Sequence, residues 1–259
     1  MIMKKNSPIG IFDSGLGGIS VLHEIHAQMP LEDLIFFGDS ANNPYGTKTP
    51  EQVIERCDDI SKQLVQMDCK AIVIACNTAT SVAASQLRKT YPIDIIGMEP
   101  ALKVAAELGT RQHIAVWATE LTLKEEKFAR LMSRFEKEHT IVKVPCPKLV
   151  RIIEEDALDD EKRTQSALKE YLAKSNMDQL DSIVLGCTHF VFFKEKLKKL
   201  LPENVQIVDG NAGTARHLKE LMEQKNLLNS QGGNITFFNT ADNMIGLSEK
   251  LLCEMEDIQ

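Results

Sequence analysis

The chain has 259 residues, 43% of them hydrophobic, and a formal net charge of −7. That is enough for one large or two small domains with their own cores, and its scattered basic residues, as in "KEKLKK" at 194–199, read as solvated helix faces rather than a nucleic-acid surface. No run approaches the roughly 20 apolar residues that span a bilayer, and "MIMKKNSPIGIF" at the start lacks an apolar signal core, so a cytoplasmic protein without a membrane role is expected.

Short apolar runs alternate with amphipathic stretches, the pattern of βαβ units around parallel sheets. The first strand is expected at "IGIF" (9–12), followed by "DSGLGG" and a helix from about Ile19. "LIFF" (34–37) leads into the turn-rich "GDSANNPYGTK" (38–48), and "PEQVIERCDDISKQLVQM" (50–67) reads as a helix with proline in its first turn. "AIVIA" (71–75) runs into "CNTAT", and "DIIG" (94–97) follows. A second series comprises "HIAVW" (113–117), "TIVKV" (140–144), "SIVLG" (182–186) and "VQIVD" (205–209). A helix at 210–226 and a last strand, "NITFFN" (234–239), close the chain.

A faint repeat runs through this order. "IGIFDSG" at 9–15 resembles "IAVWATE" at 114–120, and "IVIACNT" at 72–78 resembles "IVLGCTH" at 183–189. Two similar offsets in the same order suggest two related α/β halves. A boundary near "GMEP" (97–100) and a return near 208 divide the chain into 1–97 plus 208–259, and 98–207.

Ligands of open parallel sheets bind beyond the carboxyl ends of the strands, and four polar motifs fall at such ends. Asp13 and Ser14 precede glycines that let a backbone approach a ligand, with a tight turn capped by Asp13 as the structural reading. The 38–48 segment offers Asn42, Asn43, Tyr45 and N–H groups near Gly46, or else is a surface turn held by Asp39. Cys76 opens a helix with Asn77 and Thr78, which are suited to holding a carboxylate or carbonyl oxygen. Cys187 is followed by Thr188 and His189, a histidine able to exchange a proton with the thiol. A single such cysteine would read as a small buried hydrophobe. Two in matching contexts suit one thiolate that removes a proton from a carbon and one thiol that returns it from the opposite face. Cys57, Cys69, Cys146 and Cys253 carry no polar motif, and no Cys/His spacing fits a zinc site.

The segments "FDSGLGG", "GDSANNPYGTK", "ACNTAT", "LGCTHF" and "VDGNAGTA", in this order from residue 12 to 215, resemble the cofactor-independent glutamate racemases of the aspartate/glutamate racemase superfamily. The resemblance implies two pseudo-symmetric α/β domains, each a mainly parallel sheet flanked by helices, with the active site in the cleft between them. It implies interconversion of L- and D-glutamate for peptidoglycan synthesis, without pyridoxal phosphate, other cofactor or metal, and in many members as a homodimer. By the same resemblance Cys76, assisted by Asp13, would deprotonate D-glutamate. Cys187, assisted by His189, would deprotonate L-glutamate. Glu154 resembles the acidic partner of that histidine, with Glu155 the neighbouring alternative. Substrate contacts would fall on Ser14, Pro44, Tyr45, Gly46, Asn77, Thr78, Thr119 and Thr188.

The chain departs from the family pattern at Leu121, where glycine is usual, and at Arg151 and Val191, where proline is frequent. Only eight residues precede the first strand run, so the longer N-terminal extension of some members is not expected. Three other readings share some of these features: an aspartate racemase, a binding protein that keeps the fold, and a thiol hydrolase built on Cys187 and His189.

Overall fold

The computed structural model describes residues 4–256; the first three residues of the segment read above for a signal sequence lie outside that range. The chain forms two compact units, one of residues up to Glu99 together with those from Asn211, the other Pro100–Gly210.

The first unit begins with β1 (Ile9–Asp13), α1 (Ile19–Gln28), β2 (Leu34–Gly38), α2 (Pro50–Gln66), β3 (Ala71–Ile74), α3 (Asn77–Thr90) and β4 (Asp94–Gly97). The second contains α4 (Ala101–Glu107), β5 (His113–Ala118), α5 (Glu120–Lys124), α6 (Glu126–Ser133), β6 (Thr140–Pro145), α7 (Pro147–Glu154), α8 (Glu161–Ala173), β7 (Ser182–Leu185), α9 (Lys194–Lys198) and β8 (Gln206–Val208). The chain then returns to the first unit as α10 (Asn211–Gln224), β9 (Ile235–Asn239) and α11 (Met244–Glu256).

All nine apolar runs are strands. The first sheet has the order β4-β3-β1-β2-β9 and the second β6-β5-β7-β8, and every pair in both is parallel. Read from the other edge, the second order is β8-β7-β5-β6, which repeats β4-β3-β1-β2 strand for strand. The two sequence matches noted above fall on β1 with β5 and on β3 with β7, so the repeat follows the topology. The central strands β1 and β3 are buried throughout, as continuous apolar runs covered on both faces should be.

The helices follow the apolar periodicity. In α2 the buried residues Val53, Cys57, Ile60 and Leu64 form one stripe. Its start is fixed by a capping box in which Thr49 Oγ1 accepts from the Gln52 N–H and Gln52 Oε1 accepts from the Thr49 N–H. The second core gathers Leu102, Ile114, Val116, Met132 and Val184, with Leu123, Phe128 and Leu131 packed against them. Beside it Trp117 meets Tyr171 edge to face, centroids 5.9 Å apart, and donates its indole N–H to Ser175 Oγ at 2.8 Å.

The lysines of "KEKLKK" lie on α9 and the residues after it. Lys194 pairs with Asp209, Lys196 with Glu161 and Lys198 with Glu195, so the basic run is largely neutralised within its own unit. In the first unit Lys70 is fully buried with Glu32. Its ammonium also donates to the carbonyls of Lys5 and Leu227, while Glu32 Oε1 accepts from the Asn229 N–H. A buried charge survives only when so completely partnered.

Candidate active site

Each unit carries its own cluster at the carboxyl ends of its central strands. In the first unit, β1 delivers Asp13, fully buried, whose Oδ2 accepts the Gly18 N–H at 2.7 Å. The strand-to-helix turn therefore uses Asp13 as its anchor. Gly18 is required by packing: a Cβ there would come within 2.7 Å of the Asp13 Cβ and 3.0 Å of the Phe36 ring. Ser14 Oγ donates to Asp13 Oδ1 at 3.4 Å and lies 3.8 Å from Cys76 Sγ.

Cys76 lies two residues beyond β3 in an extended conformation and is the N-cap of α3. Its sulfur accepts the Ala79 N–H at 3.4 Å. The N-terminus of a helix favours negative charge at that point, so local backbone structure supports a thiolate. Asn77 and Thr78 form the first turn, Asn77 partly exposed and Thr78 buried.

The 38–48 segment is an ordered loop of two short 3₁₀ turns, Ser40–Asn42 and Tyr45–Thr47. Asn43 Nδ2 reaches the Ser14 carbonyl at 3.3 Å and Ser14 Oγ at 3.4 Å, joining the loop to Asp13 and Cys76. The Asn43–Pro44 peptide is cis. Tyr45 is buried and donates its phenol to Asp39 Oδ2 at 2.6 Å. Burial, with Cys57 and Asp39 nearby, holds that phenol protonated far above its ordinary range. The side chain of Tyr45 is therefore an anchor, and the residues on either side of it, Pro44 and Gly46, are partly exposed.

In the second unit, Cys187 lies two residues beyond β7 and starts the 3₁₀ segment Thr188–Phe193, with Thr188 and His189 buried. Cys187 Sγ is 3.7 Å from His189 Nδ1, and His189 Nε2 is 2.6 Å from Glu154 Oε1 at the end of α7. Glu155 instead pairs with Arg163, which resolves the choice between the two adjacent glutamates in favour of Glu154 as the histidine's partner. Burial alone would drive the proton off His189, but its hydrogen bonds to Cys187 and Glu154 outweigh it and hold the imidazole well above its ordinary pKa. Thr119 caps α5, its hydroxyl accepting the Thr122 N–H at 3.2 Å and donating to Thr122 Oγ1 at 3.0 Å. Leu121 is thus accommodated in a short helix rather than a glycine turn.

The structure brings Asp13, Ser14, Asn43 and Cys76 together in one cluster, and Glu154, Cys187 and His189 in another. Cys57, Cys69 and Cys146 are buried and Cys253 is exposed. Burial raises all three buried thiols, Cys69 to about 12, which suits packing rather than proton transfer. Among the described residues no group of three or more His, Cys, Asp or Glu side chains could hold a metal ion, and no helix is long and apolar enough to cross a membrane. Sequence reasoning gave Asp39 only a turn-capping role and passed over Arg56. Asp39 is fully buried and takes hydrogen bonds from Asn42, Tyr45 and Arg56; its burial at a strand end had no local signal.

The Asp/Glu/hydantoin racemase family profile matches residues 14–218, a span that begins one residue after Asp13 and takes in every other member of the two clusters. The chain belongs to that family, among its glutamate racemases. A glutamate racemase from Bifidobacterium adolescentis is 56% identical over 223 residues, covering 85% of this chain and 86% of that protein. The crystal structure of glutamate racemase isoform RacE1 from Bacillus anthracis superposes with a TM-score of 0.84 at 28% identity, covering 98% of this chain and 95% of that one. The glutamate racemase of Francisella tularensis in complex with D-glutamate gives a TM-score of 0.81 at 28% identity, over 96% and 94% of the two chains.

Proposed function

We propose that the chain interconverts L- and D-glutamate by two-base proton transfer at Cα, with Cys76 and Cys187 as the two bases. The observation that carries this reading is the pair of strand-end thiols, each with its own polar relay: Cys76 against Ser14, which bonds Asp13, and Cys187 against His189, which bonds Glu154. The glutamate racemase activity of relatives as similar as 56% identity, and D-glutamate in a structural relative, support glutamate as the substrate.

Starting from D-glutamate, the Cys76 thiolate takes the Cα proton and the C–H electron pair passes into the α-carboxylate as an enediolate-like anion. The Cys187 thiol then delivers its proton to the opposite face, leaving Cys187 as thiolate and Cys76 as thiol. The reverse direction runs the same steps backwards, so no proton is consumed overall. Asp13 and His189 assist their respective thiols, and Glu154 orients His189 through Nε2. Stabilising the anion needs oriented donors on the carboxylate, for which Ser14, Asn77, Thr78, Thr119, Thr188 and the backbone of Pro44–Gly46 are the candidates. D-glutamate made this way would serve bacterial peptidoglycan synthesis. Six cysteines, none of them in a disulfide, suit a reducing cytoplasm.

The test follows L-glutamate and D-glutamate separately by circular dichroism in deuterated buffer without added cofactor, with aspartate alongside. Decay of the signal with deuterium incorporated at Cα, for glutamate and not aspartate, is the expected result. Cys76→Ala or Cys187→Ala should lower racemisation by roughly 10³-fold, within the range for loss of a general acid or base. Full activity in either variant would remove the two-thiol mechanism, and inversion of aspartate instead would move the substrate assignment.

A further inference from the structure

We infer that Arg56 is a positioning residue for the reaction, one that fixes the Ser40–Thr47 loop through Asp39; this rests on the proposed role of that loop in the Cys76 cluster. Arg56 projects from α2 with about a quarter of its side chain exposed, while Asp39, at the end of β2, is fully enclosed. The guanidinium meets both carboxylate oxygens: Nε donates to Oδ2 at 3.0 Å and Nη2 to Oδ1 at 3.1 Å. This two-point fork is a geometry that an ammonium cannot reproduce.

The same two oxygens hold the loop. Asn42 Nδ2 donates to Oδ1 at 2.9 Å and the Tyr45 phenol to Oδ2 at 2.6 Å. Those two anchors flank Asn43 and Pro44, so the loop cannot shift without breaking a bond to Asp39. Asn43 in turn reaches Ser14, whose hydroxyl lies beside Cys76. Polar contacts, joined through the loop backbone between Asn42 and Asn43, thus link a partly exposed arginine on α2 to the thiol just beyond β3. The remaining guanidinium nitrogen, Nη1, donates to Asp59 one helical turn further along α2 at 3.2 Å, which holds the arginine's own rotamer.

Without Arg56, the enclosed carboxylate loses two of its four side-chain donors, and an under-solvated anion then competes for Asn42 and Tyr45. The loop backbone that faces the substrate loosens while the core under it remains. The consequence should therefore appear in substrate binding rather than in folding. Arg56→Ala is expected to raise KM for both glutamate enantiomers roughly tenfold, about 1.4 kcal/mol, with a smaller change in kcat. Arg56→Lys should stay impaired, and guanidinium ion added to Arg56→Ala at a sub-denaturing concentration should return KM toward the wild-type value.

The experiment measures KM and kcat in both directions for wild type, Arg56→Ala with and without guanidinium, Arg56→Lys and Cys76→Ala, with thermal unfolding of each. Wild-type KM in Arg56→Ala overturns the inference. So does a fall in kcat alone that tracks the unfolded fraction and does not respond to guanidinium. Cys76→Ala with full activity would count against the two-thiol reading instead, so the two failures are told apart in one data set.

Discussion

His189 is a group whose charge is decided by its neighbours against its burial. With its folded-state pKa raised above the ordinary value of 6.5, the native state holds the proton more tightly than the unfolded chain. By linkage, the stability this contributes is fully present below about pH 6.5 and is lost as pH rises through the folded value. The difference in unfolding free energy between wild type and His189→Gln should therefore shrink steadily from about pH 6 upward. Denaturant melts at several pH values check it; a gap that widens with pH would mean the imidazole is neutral in the native state. The residues of this site were legible because each follows an apolar run: Asp13, Cys76 and Cys187 sit at or just beyond strand ends, where open sheets bind ligands. The Cys187–His189 proximity is local, two positions apart. Glu154 is 35 positions from His189, and spacing alone had no means of choosing it over Glu155.

At the scale of elements, ends are set by side-chain chemistry that a sequence states openly in some places and hides in others. Thr49, Pro50 and Gln52 announce the start of α2, and Thr49→Ala should lower stability by about 1 kcal/mol, measured as a shift in the urea midpoint. No shift would mean that Pro50 and the tertiary contacts of α2 define its start unaided. Cys76 capping α3 through its sulfur is less visible, because cysteine is not a usual cap. The break between α5 and α6 has no proline or glycine to mark it. Glu125 takes an extended conformation between the two helices, φ −61° and ψ 132°, and nothing in "ELTLKEEKF" distinguishes it from a continuous helix. β1, β3 and β7 were legible as continuous apolar runs buried along their whole length, whereas β6, β8 and β9 are only partly buried and were legible from their β-branched and aromatic residues.

For the molecule as a whole, the least legible feature is the Lys70–Glu32 pair. A lysine in "DCKAIVI" reads as the exposed residue before a strand. Its burial depends on carbonyls at Lys5 and Leu227 that arrive from 65 and 157 positions away. Lys70→Met leaves Glu32 enclosed without its cation and should cost about 3 kcal/mol, read from denaturant unfolding, with kcat per folded molecule unchanged. Removing both charges together with Glu32→Gln should recover part of that loss. A single variant as stable as wild type would show that water or a rotated glutamate replaces the ammonium.

The order of the strands along the chain has a consequence for biosynthesis. β9 completes the first sheet by pairing with β2 from 201 positions further on, Leu34 beside Ile235, whereas every strand of the second sheet lies within residues 100–210. A nascent chain that has emerged as far as Gly210 already holds all of the second sheet, while the N-terminal sheet still presents β2 as a bare edge with Phe36 and Phe37 in it. Such an edge invites pairing with another chain. The long interval before Ile235 is therefore the stage at which a ribosome-bound molecule is most exposed to aggregation and most dependent on chaperones.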